Sequence, residues 1–315
     1  MVTMRKRGVG EKVMIVGELF DKSRAVTIVG DLRKKGIQAE LQVVSHEGNS
    51  LYQIIVQNED DGEKAREIFR IYIGLPGAPP EPDPEWMKIK SIPLGIVTKF
   101  ILLFSGVVFL TSFNKEAFRR VCDLFFFNRP NAPLFRSLLQ GEFWRLITPI
   151  FLHFGFMHIL FNSLWFKDLG SLLEKIKGRT HYILFILISA TLSNTLQYIA
   201  MGRPEFGGLS GVVYALLGFV WVNGHLNEGS EFKLPKRDIV LMVGWYVMCL
   251  SGLIGNIANV AHGVGLAIGM VWGQLPWRPH LLKLRIKYLL LALLFSFGTY
   301  LIEIMKTNLI QELTI

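Results

Sequence analysis

The 315-residue sequence is poor in charged residues and in cysteine. Only 19% of its residues are Asp, Glu, Lys or Arg, whereas 51% are hydrophobic, and the mean hydropathy is positive. Such a balance is unusual in a soluble protein of this length. The two cysteines, Cys122 in a loop and Cys249 in an apolar run, cannot form a disulfide framework. We therefore expect two unpaired thiols.

Two further features are missing. The N-terminal stretch MVTMRKRGVGEK contains no apolar core followed by a cleavage site, so we expect no signal peptide. The formal net charge of +9 is not gathered into a basic patch, because the Lys and Arg residues fall mainly in short loops beside apolar segments. Basic residues in that position usually set membrane orientation, and we expect no nucleic-acid partner.

Apolar residues come in blocks after position 90, and several blocks approach the roughly 20 residues that cross a bilayer core of about 30 Å. This pattern predicts a polytopic all-α membrane protein. The last block, YLLLALLFSFGTYLIEIM, predicts a seventh transmembrane helix, and an interfacial helix is the alternative. The predicted segments cover residues 92–113, 148–167, 181–201, 208–222, 239–254, 259–276 and 288–305.

The sequence divides into four parts. Residues 1–75 alternate strand-like and helix-like patterns and predict a small soluble α/β domain. Residues 76–91 are rich in proline and predict a linker. A six-helix core over 92–276 and a C-terminal extension over 277–315 follow.

Loop charges predict the orientation. The loops 167–180, 224–238 and 277–287 carry four, three and four Lys or Arg residues, whereas 202–207 carries one and 251–258 none. By the positive-inside rule the basic loops and the N-terminal domain are cytoplasmic. The connection 114–147 departs from this pattern with six basic residues, and its mixture of aromatics and Arg favours a structure in the membrane interface.

Polar residues inside the apolar segments form three groups. Burying such residues in a membrane costs free energy, so each group suggests a function, although for each group alone a structural role is the more common explanation. The groups are His153, His158 and Asn162; Gly208, Ser210, Gly211 and Tyr214; and His262 with Gly265 and Gly269. Their conjunction favours a catalytic site.

The segment that follows Ser210 is short. Leu209–Val222 would span only about 21 Å of helix, so the end that carries Ser210 should lie below the membrane surface, at a hydrated helix N-terminus. A serine needs an adjacent base to act as a nucleophile, and His262 is the histidine placed to reach it. No Asp or Glu lies in the outer halves of these helices, so we predict a Ser–His dyad. Tyr214 would orient the imidazole, and His158, Asn162 and the Ser210 N–H would stabilise an oxyanion.

With these residues in place, the sequence resembles the rhomboid intramembrane serine proteases, and most closely the bacterial GlpG type. The resemblance rests on WR at 144–145, HFGFMHILFN, GSLLEKIKG, GLSGVVYALLG and AHGVGLAIG, which together cover about 144 to 270. It implies Ser210 as nucleophile and His262 as general base. It implies structural or supporting roles for the remaining matched positions, namely Gly208, His158 and Asn162 in the oxyanion region, Tyr214 on the histidine, and His153, Trp144, Arg145 and Glu174 in the framework.

The same resemblance implies cleavage of single-pass membrane proteins within or beside their spanning segment, without metal or cofactor. It also implies an integral protein of the bacterial inner membrane, whose site opens to the periplasmic side of the lipid bilayer. Phe161 and Trp245 are predicted by position to form a lateral gate for substrate. The predicted seventh helix departs from the simplest six-helix members.

Two other functions fit the sequence less well. A catalytically silent relative that binds or chaperones membrane proteins typically lacks the serine or the histidine, and both are present here. A transporter with midplane polar residues should show internal repeats with paired broken helices, and no repeat relates the two halves. Both are weaker predictions than a protease.

Overall fold

The computed structural model describes residues 4–7, 11–46, 48–75, 83–129, 132–133, 135–227, 229–255, 257–275 and 279–313. The chain divides into two compact units, residues 1–81 and 82–315. The boundary lies within the Pro-rich stretch, of which residues 76–82 lie outside the described residues. The later part of the predicted linker is helical, since Pro84 occupies the first turn of a helix whose N-terminal N–H is capped by Asp83.

The first unit is a four-stranded antiparallel sheet with two helices. Its elements are β1 (Met4–Arg7), β2 (Glu11–Leu19), α1 (Lys22–Lys34), β3 (Ala39–His46), β4 (Asn49–Val56) and α2 (Glu59–Tyr72). The strand order is β1-β2-β4-β3, and the first strand was missed by sequence reasoning. Residues of α1, including Ile28 and Leu32, pack with Ile54 and Val56 of β4 in a small core. The predicted combination of strands and helices in the N-terminal domain is therefore confirmed.

The second unit is helical. Its helices are α3 (Pro84–Lys90), α4 (Ile96–Leu110), α5 (Lys115–Phe125), α6 (Arg136–Leu139), α7 (Phe156–Lys177), α8 (Arg179–Met201), α9 (Ser210–Leu226), α10 (Lys236–Leu250), α11 (Asn259–Trp272) and α12 (Leu282–Leu313). Central helix α9 is buried along almost its whole length, and the main apolar core is built around it. The predicted helical class is therefore confirmed.

Several boundaries differ from the predictions. The segment predicted over 148–167 is a helix only from Phe156, because Thr148–Phe151 form a 3₁₀ turn and Gly155 precedes the helix. This helix continues to Lys177, so most of the predicted loop 167–180 is helical. The connection 114–147 contains helices α5 and α6 and a second 3₁₀ turn. Cys122 was predicted in a loop, but it lies in α5, where its thiol is buried among Phe126, Val108 and Leu152. Both cysteines are free.

Three segments among the described residues are long and apolar enough to cross a membrane: Ile96–Phe113, Arg179–Met201 and Leu282–Lys306. The last belongs to α12, the predicted seventh transmembrane helix. Shorter apolar helices are Ser210–Leu226 and Asn259–Trp272. Helix α9 has 17 residues, three more than predicted, and is therefore about 26 Å long. It is still shorter than a hydrocarbon core of about 30 Å.

Glu174 joins α7 to the start of α4. Its carboxylate accepts hydrogen bonds from the backbone N–H groups of Val97 (3.0 Å) and Thr98 (3.1 Å), and from the Thr98 hydroxyl (3.0 Å). The helix makes no side-chain cap of its own at Gly95. An N-terminal turn carries free N–H groups and partial positive charge, so a carboxylate from a neighbouring helix satisfies both.

Candidate active site

The first residue of α9 is Ser210, which follows a glycine-containing turn at residues 207–208. Gly208 has φ +116°, a conformation that favours glycine, and its N–H donates to the Pro149 carbonyl at 2.9 Å. The chain therefore enters the helix sharply. The half-buried Ser210 lies where the N–H groups of the first turn have no intrahelical partner.

His262 lies in the first turn of α11, opposite Ser210. Its Nε2 is 2.7 Å from the Ser210 Oγ, which is hydrogen-bonding distance. Two glycines allow this approach: a Cβ placed on Gly265 would lie 2.0 Å from the Gly211 carbonyl oxygen, and one on Gly269 would lie 1.8 Å from that of Ala215. The helices α9 and α11 thus touch backbone to backbone, and the pair predicted from the sequence is brought together.

The other side of the imidazole is held by packing. The ring centroid of Tyr214 is 4.8 Å from that of His262, and the Tyr214 hydroxyl donates to the Met242 carbonyl at 3.1 Å. His262 Nδ1 is buried and has no hydrogen-bond partner among the described residues. With Nε2 accepting from the serine hydroxyl, the proton of the neutral ring lies on Nδ1. The arrangement is a serine–histidine pair oriented by a tyrosine ring.

Potential oxyanion donors converge beside Gly208. A Cβ placed on this glycine would lie 2.5 Å from His158 Nε2 and 3.6 Å from Asn162 Nδ2, so only glycine leaves the space open. Both side chains come from one face of α7, four residues apart. Asn162 is oriented by donating to the His158 carbonyl at 2.9 Å.

His153 braces the turn before Ser210. It is fully buried, its Nδ1 lies 3.2 Å from the Phe151 carbonyl, and its Nε2 accepts from the Leu209 N–H at 3.5 Å. One tautomer, with the proton on Nδ1, satisfies both contacts. The ring centroid of His153 is 4.9 Å from that of His158, so the two histidines pack as a unit behind the turn.

Residues 140–279 match the family model described as the Rhomboid domain. These residues form a rhomboid domain. The match contains Ser210 and His262, and also Gly208 with the neighbouring His158 and Asn162. The N-terminal unit and all of α12 lie outside it, and the GlpG type stays a prediction within the family.

At the start of the rhomboid domain, Trp144 and Arg145 support the preceding connection. The buried Arg145 guanidinium donates to the Phe126 carbonyl (2.8 Å) and to the Glu142 carboxylate (2.6 Å). Trp144 Nε1 donates to the Leu124 carbonyl at 3.2 Å. A hydrogen bond from Arg129, together with Arg145, lowers the pKa of the Glu142 carboxyl. Neither predicted residue contacts the dyad, and both fix backbone at the end of α5.

Phe161 on α7 and Trp245 on α10 face one another at the edge of the rhomboid domain. Their ring centroids are 6.1 Å apart, and the residues are 52% and 45% exposed. The structure therefore brings the two predicted residues together, and their role as a lateral gate stays a prediction.

Sequence reasoning missed two residues at the site. Gln197 of α8 accepts a hydrogen bond from the Ala261 N–H at 3.0 Å and so caps the start of the histidine helix. Tyr246 of α10 is buried with its ring 5.7 Å from Tyr214 and 6.5 Å from His262. Gln197 carried a usable signal, since it is a polar residue within an apolar helix. Tyr246 carried none, because one aromatic among many indicates nothing by itself.

No group of three or more His, Cys, Asp or Glu residues that could hold a metal ion occurs among the described residues. The polar groups of the site are the hydroxyl, two imidazoles, an amide and backbone N–H groups. This set suits acyl transfer by a nucleophile and a base.

Proposed function

We propose that this protein is an intramembrane serine protease that cleaves single-pass membrane proteins within or beside their spanning segment. The observation that carries the proposal is the 2.7 Å contact between Ser210 Oγ and His262 Nε2, inside a domain of the rhomboid family. A hydroxyl at a helix N-terminus that meets a buried imidazole on another helix supports a functional role for both, because polar side chains are costly inside a membrane.

In the proposed reaction, Ser210 Oγ attacks the scissile carbonyl while His262 Nε2 accepts the hydroxyl proton. The tetrahedral oxygen would be stabilised by His158, Asn162 and the Ser210 N–H, each donor contributing roughly 3 kcal/mol. The imidazolium returns the proton to the leaving amine, and water then hydrolyses the ester by the same route. Tyr214 presents its ring to the imidazolium, an attraction of about 1–2 kcal/mol at a desolvated site.

The orientation and the substrate route are also proposed. The basic loops support a cytoplasmic N-terminal unit. The proposed location is a bacterial inner membrane, with the dyad opening toward the periplasmic side. A substrate helix would enter between α7 and α10, where Phe161 and Trp245 separate. The exposed pair at 6.1 Å supports this route.

The test is labelling with a fluorophosphonate, using the full chain in detergent micelles and mass spectrometry to locate the adduct. We expect the wild type to carry one phosphonyl group on Ser210, and Ser210→Ala and His262→Ala to carry none. Ser296→Ala and His225→Ala are matched controls, since Ser296 bonds only its own helix backbone and His225 is exposed at the far end of α9. Both should label like the wild type.

A second measurement separates a protease from a silent binder. The same variants are reconstituted into vesicles with a single-pass reporter, and cleavage is followed by a mobility shift. We expect cleavage by the wild type and by both controls. Binding of the reporter without cleavage, together with an unlabelled Ser210, would instead identify a silent relative.

A further inference from the structure

Helix α12 presents polar side chains along one face. Thr299 and Glu303 are four residues apart and Lys306 three further on, so the three share one stripe. Thr299 and Glu303 are 2% and 8% exposed, although the same helix exposes large apolar residues such as Leu293 and Leu294 on other faces. Burying a carboxylate in an apolar helix costs free energy unless hydrogen-bond donors or positive charges contact it.

The C-terminal part of the stripe, Glu303 and Lys306, is hydrogen-bonded to both ends of the α10–α11 connection. Glu303 Oε1 accepts from Asn259 Nδ2 at 3.1 Å, and Asn259 Nδ2 also contacts the Cys249 carbonyl at 3.2 Å. Lys306 Nζ is 2.8 Å from Glu303 Oε1 and donates to the Leu250 carbonyl. The last carbonyls of α10 and the first residue of α11 are thus joined to α12.

The N-terminal part of the stripe, Thr299, contacts residues that neighbour the serine–histidine pair. The Tyr246 hydroxyl donates to the Phe295 carbonyl at 3.2 Å and is hydrogen-bonded with Thr299. At Gly263, beside the catalytic histidine, a Cβ would lie 2.5 Å from the Phe295 carbonyl oxygen and 2.7 Å from the Thr299 hydroxyl oxygen. Helix α12 therefore contacts α11 backbone at the position next to His262.

These contacts place His262 between two anchors. Asn259, three residues before it, is held by Glu303, and Gly263, one residue after it, lies against Thr299 and Phe295. The opposite face of α11 contacts α9 through Gly265. The position and rotation of the His262 imidazole relative to Ser210 are therefore set by the contacts of α11 with both α9 and α12.

We propose that Glu303 and Thr299 are positioning residues for the serine–histidine pair, acting through Asn259 and Tyr246. The inference rests on the proposed function, since it assumes that the pair is catalytic. The role assigned to α12 is to hold the first turn of α11 in register with Ser210.

The test measures the second-order rate of Ser210 phosphonylation for folded protein, with the folded fraction determined by gel filtration. Glu303→Ala removes the acceptor for Asn259, and we expect at least a tenfold slower rate, because a displacement of about 1 Å at a catalytic pair costs up to about 100-fold. Glu303→Gln keeps an acceptor oxygen, and we expect a rate within about threefold of wild type. Ser296→Ala, on the same helix, is the matched control and should label normally.

A small phosphonate reaches Ser210 without passing a gate, so its reaction rate reports the geometry of the serine–histidine pair. The assay therefore separates positioning of this pair from simple helix packing. If Glu303→Ala lowers only the unfolding temperature while its folded fraction labels at the wild-type rate, the inference is wrong. The paired variant Thr299→Val removes the hydroxyl that contacts Tyr246 and keeps the shape of the side chain. It should slow phosphonylation together with kcat for a membrane substrate, and an effect on KM alone would contradict positioning.

Amide hydrogen exchange distinguishes failure of this inference from failure of the proposed function. Peptides that cover residues 247–262 should exchange faster in Glu303→Ala than in the wild type, whether or not Ser210 reacts. An unlabelled wild type with this exchange change would refute the protease and leave the α12 contact intact. Unchanged exchange would refute the role of α12 even in an active enzyme.

Discussion

Replacing Gly265 by alanine tests whether the dyad depends on the close approach of α9 and α11. The new Cβ would lie 2.0 Å from the Gly211 carbonyl oxygen, whereas ordinary contact begins at 3.4 Å. The helices must therefore separate by about 1.4 Å or distort locally, at a cost of about 1–3 kcal/mol. Because Gly211 follows Ser210 and Gly265 is one turn beyond His262, part of that separation reaches the pair.

The expected losses follow from these distances. A separation of about 1 Å takes the Ser210–His262 contact from 2.7 Å beyond hydrogen-bonding range, and the phosphonylation rate should fall by about 100-fold. The unfolding midpoint should fall by about 2–4 °C per kcal/mol. Labelling kinetics and thermal unfolding of the purified full chain in detergent give both quantities.

Gly106→Ala is the matched control for this substitution. It also lies inside an apolar helix, but no atom lies within 4 Å of the position that its Cβ would occupy. We expect wild-type labelling and equal or slightly higher stability, since alanine is the better helix former. Wild-type behaviour of Gly265→Ala, or an equal loss in Gly106→Ala, would refute the argument from helix contact.

Three further substitutions test the surroundings of the site. Arg145→Ala should lower stability by about 3 kcal/mol in thermal unfolding, because Glu142 and the Phe126 carbonyl lose a buried donor; a loss under about 1 kcal/mol would contradict this. Tyr214→Phe should label within about threefold of wild type and lose about 1 kcal/mol of stability, because it loses the hydrogen bond to Met242. Tyr214→Ala should label much more slowly, and equal rates for the two variants would show that the ring does not orient His262. Glu174→Ala should destabilise by about 3 kcal/mol, because two N–H groups at the start of α4 lose their acceptor, and its folded fraction should label normally; slow labelling would mean that Glu174 acts on the distant site.

Local patterns in the chain were sufficient for the class of the protein and for naming the residues of the candidate site. Hydrophobic blocks, loop charges and the spacing of polar residues inside apolar runs are one-dimensional signals, because a membrane imposes length and polarity on each segment separately. The boundary of α7 was misjudged because an apolar composition continues through Thr148–Phe151 although the backbone there forms a 3₁₀ turn.

Ser210 and His262 are recognisable from the residues around each one, since a hydroxyl or imidazole in an apolar helix is costly wherever it lies. Their 2.7 Å contact is different, because it depends on which helices pack together and how closely. The same holds for Gln197 at the start of α11, for Tyr246 beside the histidine and for Glu303 on α12. The sequence alone determined which groups are present and that they lie in apolar segments of a membrane protein. Only the tertiary structure decided which of them meet, because hydrogen bonds between helices require a distance and an angle that no single segment contains.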